Sequence, residues 1–126
     1  MSGELLKRVA GIDARHIPFR GPVDAVSNLV GGQVDFAFLS LPVALPMIKA
    51  DKLNALAVTG QQRSAAIPQL PTMAQAGFPD FVMLDWMGVV APAGLAADQR
   101  AALTDLVQKA AASAAFRERL APLGIE

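Results

Sequence analysis

Apolar residues along this chain recur in two periods, and glycine and proline mark the joints between them. Residues 5–10 read as the last turns of a helix stopped by Gly11. Residues 13–19 place Ala14, His16 and Pro18 on one parity and Ile17 and Phe19 on the other, the pattern of a short strand. Arg20-Gly21-Pro22 turns the chain, and Pro22 suits the first position of a helix, where its missing N–H would have had no partner. Val23, Val26, Leu29 and Val30 then form an apolar stripe that Gly31-Gly32 ends.

The alternation continues. Residues 34–39 are β-rich and bounded by turn signals, which predicts a buried strand, and Ser40 is placed to cap a helix with Leu41, Ala44, Leu45 and Ile48 at helical spacing. Pro46 within it predicts a bend or a late start, because it lacks an N–H and crowds the preceding turn. Residues 53–59 give a third strand, so the order predicts βαβ units and a parallel sheet. Residues 60–71 are polar and punctuated. Thr72 and Gln75 have capping-box spacing, with Gly77 closing a helix of little more than one turn. Residues 81–90 read as a long strand around Trp86, broken by Ala91-Pro92-Ala93-Gly94. Asp98 is expected to cap a helix with Leu103, Leu106, Val107 and Ala110 on one face and an Asp105–Lys109 pair. Ser113 opens a last helix bearing Phe116, Leu120 and Leu123.

Composition narrows the function classes more than it names one. The 126 residues suit one domain; 53% are apolar and 17% charged, so a core is expected and disorder is not. Eleven basic residues balance eleven acidic ones, which gives no footprint for nucleic acid or an anionic membrane. Without cysteine there is no disulfide, thiol nucleophile or cysteine-ligated metal, and one histidine cannot build a multi-histidine site. The first residues mix acidic and basic groups where a signal peptide carries an apolar stretch, so none is expected in this chain. The longest uncharged apolar-rich run, residues 36–48, contains two prolines and is too short to cross a bilayer.

No catalytic set emerges. Phosphate-loop and dinucleotide fingerprints are absent, and so is a nucleophile elbow. His16 has Ser27, Ser40 and Ser64 as conceivable partners, none favoured by spacing, and reads as a structural histidine. Geometry is more informative. In a parallel α/β unit, ligands sit beyond the carboxyl ends of strands, where helix N-termini aim unpaired N–H groups outward. Phe19-Arg20-Gly21-Pro22, Leu39-Ser40-Leu41-Pro42 and Thr59-Gly60 occupy such places. They offer backbone donors, two hydroxyls and one cation, a chemistry suited to a carboxylate. The alternative is that Ser40 only caps, Gly21-Pro22 only turns and Arg20 is solvated. Trp86 reads as core by residue type, and Asp85 beside it as a turn or interface group.

His16-Ile17-Pro18-Phe19-Arg20-Gly21-Pro22 resembles a signature of the Bug family, the extracytoplasmic solute receptors of tripartite tricarboxylate transporters. The resemblance continues through Leu29-Val30-Gly31-Gly32-Gln33-Val34-Asp35 and Leu41-Pro42-Val43-Ala44-Leu45-Pro46-Met47-Ile48-Lys49-Ala50. It extends over Lys52-Leu53-Asn54-Ala55-Leu56-Ala57-Val58-Thr59, Leu70-Pro71-Thr72-Met73-Ala74-Gln75-Ala76-Gly77 and Trp86-Met87-Gly88-Val89-Val90-Ala91-Pro92-Ala93-Gly94.

The resemblance implies a type II periplasmic-binding-protein-like α/β lobe, a parallel-type sheet flanked by helices, with a C-terminal tail that returns to the other lobe. It implies capture of a small carboxylic acid, no catalysis, no cofactor, no metal, a periplasmic location and transporter membrane subunits as partners. Carried over, the ligand-side positions are Phe19, Arg20, Gly21, Pro22, Ser40, Leu41, Thr59, Asp85 and Trp86. Two departures stand out. Leu39 and Ser40 occupy positions where the family commonly has an acidic or amide residue, and Phe19 replaces a frequent tyrosine. By the same resemblance, residues 1–80 are most of the second lobe, 81–87 the crossing strand and 88–126 a segment of the first lobe. The front of a family member, signal peptide included, is then missing, and the tail's apolar faces lack their cover, which predicts self-association. The competing expectation is a truncated homologue acting only as an oligomeric interaction module.

Overall fold

A computed structural model describes residues 2–125 of the chain. Five helices appear in order: α1 (Ser2–Ala10), α2 (Pro22–Val30), α3 (Leu41–Lys49), α4 (Ala97–Ala112) and α5 (Ala114–Leu120), followed by a 3-10 turn, Ala121–Leu123. Glu4 in the first turn of α1 and Lys7 and Arg8 in its last complement the helix dipole. Gly11 ends the helix with a left-handed φ of 64°.

The two central helices end alike with different residues. Beyond α2, the Gln33 N–H donates to the Asn28 carbonyl (2.9 Å) and the Gly32 N–H to Leu29 (3.1 Å), a Schellman closure with Gly32 at φ 69°. Beyond α3, Lys52 donates to Met47 (2.9 Å) and Asp51 to Ile48 (3.1 Å), so Asp51 takes the left-handed position at φ 54°. Pro46 interrupts nothing: α3 runs from Leu41 through it, with Pro46 itself exposed, so the expected late start does not occur. Pro22 does occupy the first turn of α2.

The segments between helices carry the architecture through few backbone bonds. Val58 donates to Pro71 and accepts from Met73, both at 2.9 Å, which makes the one β-bridge among the described residues, Val58↔Thr72; it is parallel, but it pairs the expected third strand with the Thr72 turn rather than with 13–19 or 34–39. Thr59 O accepts from the Met83 N–H at 2.9 Å. Successive carbonyls of an extended chain point to opposite sides, so residues 58–59 lie between 71–73 and 83. Segments 13–19, 34–39 and 81–90, expected as strands, carry no ladder among the described residues, so the expected parallel sheet is represented there by the single bridge. Ring contacts place the second of them against the core. Phe36 and Phe38 meet edge-on at 6.4 Å, the reach of i,i+2 neighbours, and Phe38 stacks on Phe81 at 5.8 Å.

The core gathers around that stack. It consists of Val26 from α2, Ala44 and Leu45 from α3, and Ile67, Met73 and Phe81, with Thr72 the one buried polar residue among those described. Helices α2 and α3 pack on each other. The Thr72 and Gln75 capping box forms in both directions, each side chain accepting from the other's backbone N–H at 3.2 Å. What it caps is a hydrogen-bonded turn, Ala76 N–H to Thr72 O at 3.0 Å, rather than the short helix expected up to Gly77. Arg63 completes the cluster, its Nε donating to Gln75 Oε1 (2.8 Å) and its Nη1 to Pro68 O (3.1 Å).

Beyond Phe81 no described residue is buried. Helix α4 touches no helix except α5, while the 3-10 turn packs on α3. Asp98 is not the cap of α4: Ala96 stands there, and Asp98 lies in the first turn, where its charge serves the dipole instead. The Asp105–Lys109 pair forms at 2.7 Å. Ser113 caps α5 by accepting from the Phe116 N–H (3.3 Å), and Arg117 donates to the Ala112 carbonyl at the end of α4. Leu103, Leu106, Val107, Phe116 and Leu123 all remain exposed, and Leu120 is half-buried.

Candidate functional site

The first candidate edge is the entry to α2. Phe19 is half-buried, Arg20 is exposed, and Gly21 is the N-cap in fully extended backbone. Glycine offers no side-chain acceptor and Pro22 no N–H, so the open donors of this end are those of Val23 and Asp24. Among the described residues Arg20 belongs to no ion pair, which leaves its guanidinium available to an anion. Asp24 places a carboxylate in the same first turn. Neither Val23 nor Asp24 was singled out from sequence; a Gly-Pro entry followed by two residues bearing N–H groups is the signal that points to them.

The second edge is the entry to α3. Ser40 stands at the N-cap as expected, but its side chain makes no cap hydrogen bond, contrary to the capping role assigned to it. Val43 and Ala44 instead donate to the Ser40 carbonyl, both at 3.1 Å. Pro42 has no donor, so the Leu41 N–H is the open one, with the exposed Ser40 hydroxyl beside it. No acidic residue lies in this first turn, which makes α3 the more favourable end for an anion.

The third group lies at Thr59. Its carbonyl is bonded to Met83, and a Cβ on neighbouring Gly60 would meet Leu84 at 3.9 Å, so the 59–60 turn adjoins the segment leading to Asp85 and Trp86. Asp85 is committed locally: its Oδ1 accepts from the Trp86 N–H at 3.1 Å. Trp86 is not core. It is 81% exposed, its ring lying over Gly88, where an added Cβ would come within 3.2 Å of it. Trp86 lies beyond the last core residue, Phe81, and its side of the chain meets no second layer. His16 is exposed as well.

The fold therefore joins Thr59 to the approach to Asp85 and Trp86, and packs α2 against α3, the two helices that Arg20 and Ser40 precede. Apart from the Asp85–Trp86 turn, no hydrogen bond among the described residues links the nine positions to one another. Two concavities, of about 210 and 140 Å³, are lined by Ile48, Asp51 and Leu70 and by Val9, Phe78 and Phe81 among others, and by none of the nine. The candidate site is an open edge of donors, not an enclosed pocket.

The fold around this edge is that of the periplasmic binding proteins. The chain has that α/β fold: it matches the periplasmic binding protein BugD with a TM-score of 0.87 and 31% identity over 98% of this chain and 41% of that one. Across residues 1–126 the sequence matches the tripartite tricarboxylate transporter family receptor, and the chain belongs to this family, the Bug receptors. It is 37% identical to the UPF0065 protein in the tcbD-tcbE intergenic region of Pseudomonas sp. strain P51, over 100% of this chain and 38% of that protein. Among solved structures it resembles Rpa4515 of R. palustris with adipate (TM-score 0.93, 29% identity, 98% of this chain and 41% of that one). It likewise resembles MatC of Rhodopseudomonas palustris with bound malate (TM-score 0.88, 33% identity, 98% and 42%). The chain thus spans about two fifths of the length of these relatives. The family is one of receptors rather than enzymes. No helix among the described residues is long and apolar enough to cross a membrane.

Proposed function

We propose that this chain is the ligand-side part of a solute receptor that captures a small carboxylic acid at the entries of α2 and α3. The observation that carries the reading is the pair of packed helices whose caps, Gly21 and Ser40, give no side-chain acceptor to the first turn. Open N–H groups at Leu41, Val23 and Asp24 and the unpaired Arg20 then face a carboxylate with the complementary charge. Phe19 and Pro22 supply apolar walls, and Thr59, Asp85 and Trp86 form the side toward the crossing segment. The adipate and malate of the two solved relatives support a dicarboxylate as the class. Residues 1–80 act as most of the second lobe, 81–87 as the crossing segment and 88–126 as a segment of the first lobe. The end of the buried core at Phe81 supports that division. Function is exercised in the periplasm, and the partners are the membrane subunits of a tripartite transporter.

Calorimetric titration with adipate, malate and citrate tests the reading. Binding is expected, weakened about tenfold in Arg20→Ala, which corresponds to roughly 1.4 kcal/mol for an exposed charge-assisted contact. Absence of binding both by this chain and by one extended to the length of its relatives overturns it. A second reading, an oligomeric module without a ligand, draws on the exposed apolar run at Leu84, Trp86, Met87, Val89 and Val90. Sedimentation that shows a monomer at all concentrations removes it.

A further inference from the structure

The C-terminal turn ends against the first residue of α3, far away in sequence. Gly124 follows the 3-10 turn in left-handed backbone (φ 70°, ψ 28°), and its N–H donates to Ala121 O at 3.0 Å. Two features favour glycine there. The left-handed conformation costs most other L residues roughly 1 kcal/mol or more. Space is the second: an added Cβ would overlap Leu41 Cδ2, stand 3.0 Å from Leu41 Cγ and touch Ala66 at 3.4 Å. Leu41 is the residue whose N–H is the open donor of α3, and Pro42 after it has none to substitute.

We infer that the turn formed by Ala121, Pro122, Leu123 and Gly124 is a positioning element for the α3 entry, holding Leu41 so that its N–H and the Ser40 hydroxyl keep a fixed direction. Gly124 is its positioning residue. The contact joins the tail to the ligand edge directly, so the arrangement of the tail and the geometry of the edge are coupled. The ligand-binding part of this inference rests on the carboxylate reading above; the mechanical part does not.

Amide exchange followed by NMR separates the two. Gly124→Ala is compared in the natural Leu41 background and in Leu41→Ala, where the added methyl has room. The Val43 and Ala44 amides, both bonded to the Ser40 carbonyl, are the reporters. Exchange about tenfold faster is expected with Leu41 present and little change with Leu41→Ala, a coupling of roughly 1.4 kcal/mol. Equal effects in both backgrounds, or none in either, overturn the inference, since the backbone strain at position 124 is common to both. Should Gly124→Ala not fold, Leu41→Ala alone serves in reverse: the Gly124 amide exchanges faster if the turn leans on Leu41 and is unchanged if it does not. Adipate titration of the same variants reads the binding half. If the natural chain binds adipate, Gly124→Ala weakens it with the amide effect; unaltered affinity overturns the positioning role. If the natural chain does not bind adipate, the carboxylate reading is what fails, and the amide result alone decides the coupling.

Discussion

Phe81 and Trp86 lie a short way apart in one apolar segment, yet the first is 1% exposed and the second 81%. Phe81 closes a core that α2, α3 and the 67–73 stretch supply from three directions, and Phe38 stacks on its ring. Trp86 meets only its own chain, over Gly88. All of the buried core lies at or before Phe81; beyond it the chain folds locally into α4 and α5, whose apolar faces stay in solvent, and returns to the core side only where the 3-10 turn meets α3. Hydrophobicity therefore decides only that a side chain gains by burial. Whether it is buried depends on a second layer being in reach.

The sharpest way to break this contrast is to truncate both rings. Phe81→Ala is expected to cost about 3–5 kcal/mol in a urea unfolding transition, the usual loss for a buried phenylalanine, whereas Trp86→Ala leaves the midpoint unmoved. A comparable loss at Trp86 would mean the segment is covered in solution. Next in size is Thr72→Ala, which removes the acceptor for the Gln75 N–H and half of a buried reciprocal cap. About 1 kcal/mol should disappear from the same transition. The smallest change belongs to the outer region. Asp105→Ala breaks an ion pair whose side chains are 74% and 61% exposed, and less than about 0.5 kcal/mol is expected by circular dichroism of thermal unfolding. A larger effect would show α4 to be held by more than its own turns.

What could be read from the sequence was the structure that residues make with near neighbours. Pro22 starting α2, Gly32 ending it, Ser113 opening α5, the Thr72–Gln75 box and the Asp105–Lys109 pair are all decided within a few positions, and each is where spacing placed it. Local reasoning slipped where two local solutions compete. Ser40 could satisfy the first turn of α3 through its hydroxyl, but its carbonyl does so alone, and α4 begins at Ala97 so that Asp98 falls inside it. Pairing and docking were beyond reach. Alternation in 13–19 and 34–39 shows that the chain is pleated, not what lies beside it, and nothing around Leu41 signals that Gly124 rests on it. For the candidate site, the sequence located the two helix entries and Arg20. The donors actually open, Leu41, Val23 and Asp24, became evident only once the helix starts and the roles of Pro22 and Pro42 were fixed.

The exposed position of Trp86 has an optical consequence. The chain contains one tryptophan and no tyrosine, so excitation near the red edge of protein absorption addresses this ring alone. Its emission should resemble that of a free indole in water, and quenching by acrylamide or iodide should be nearly unhindered. Anything that comes to lie over the 84–90 segment, whether a second copy or a longer stretch of receptor, will shift that emission to the blue and shield it from quencher. The molecule carries its own dye at the place where its packing is unfinished.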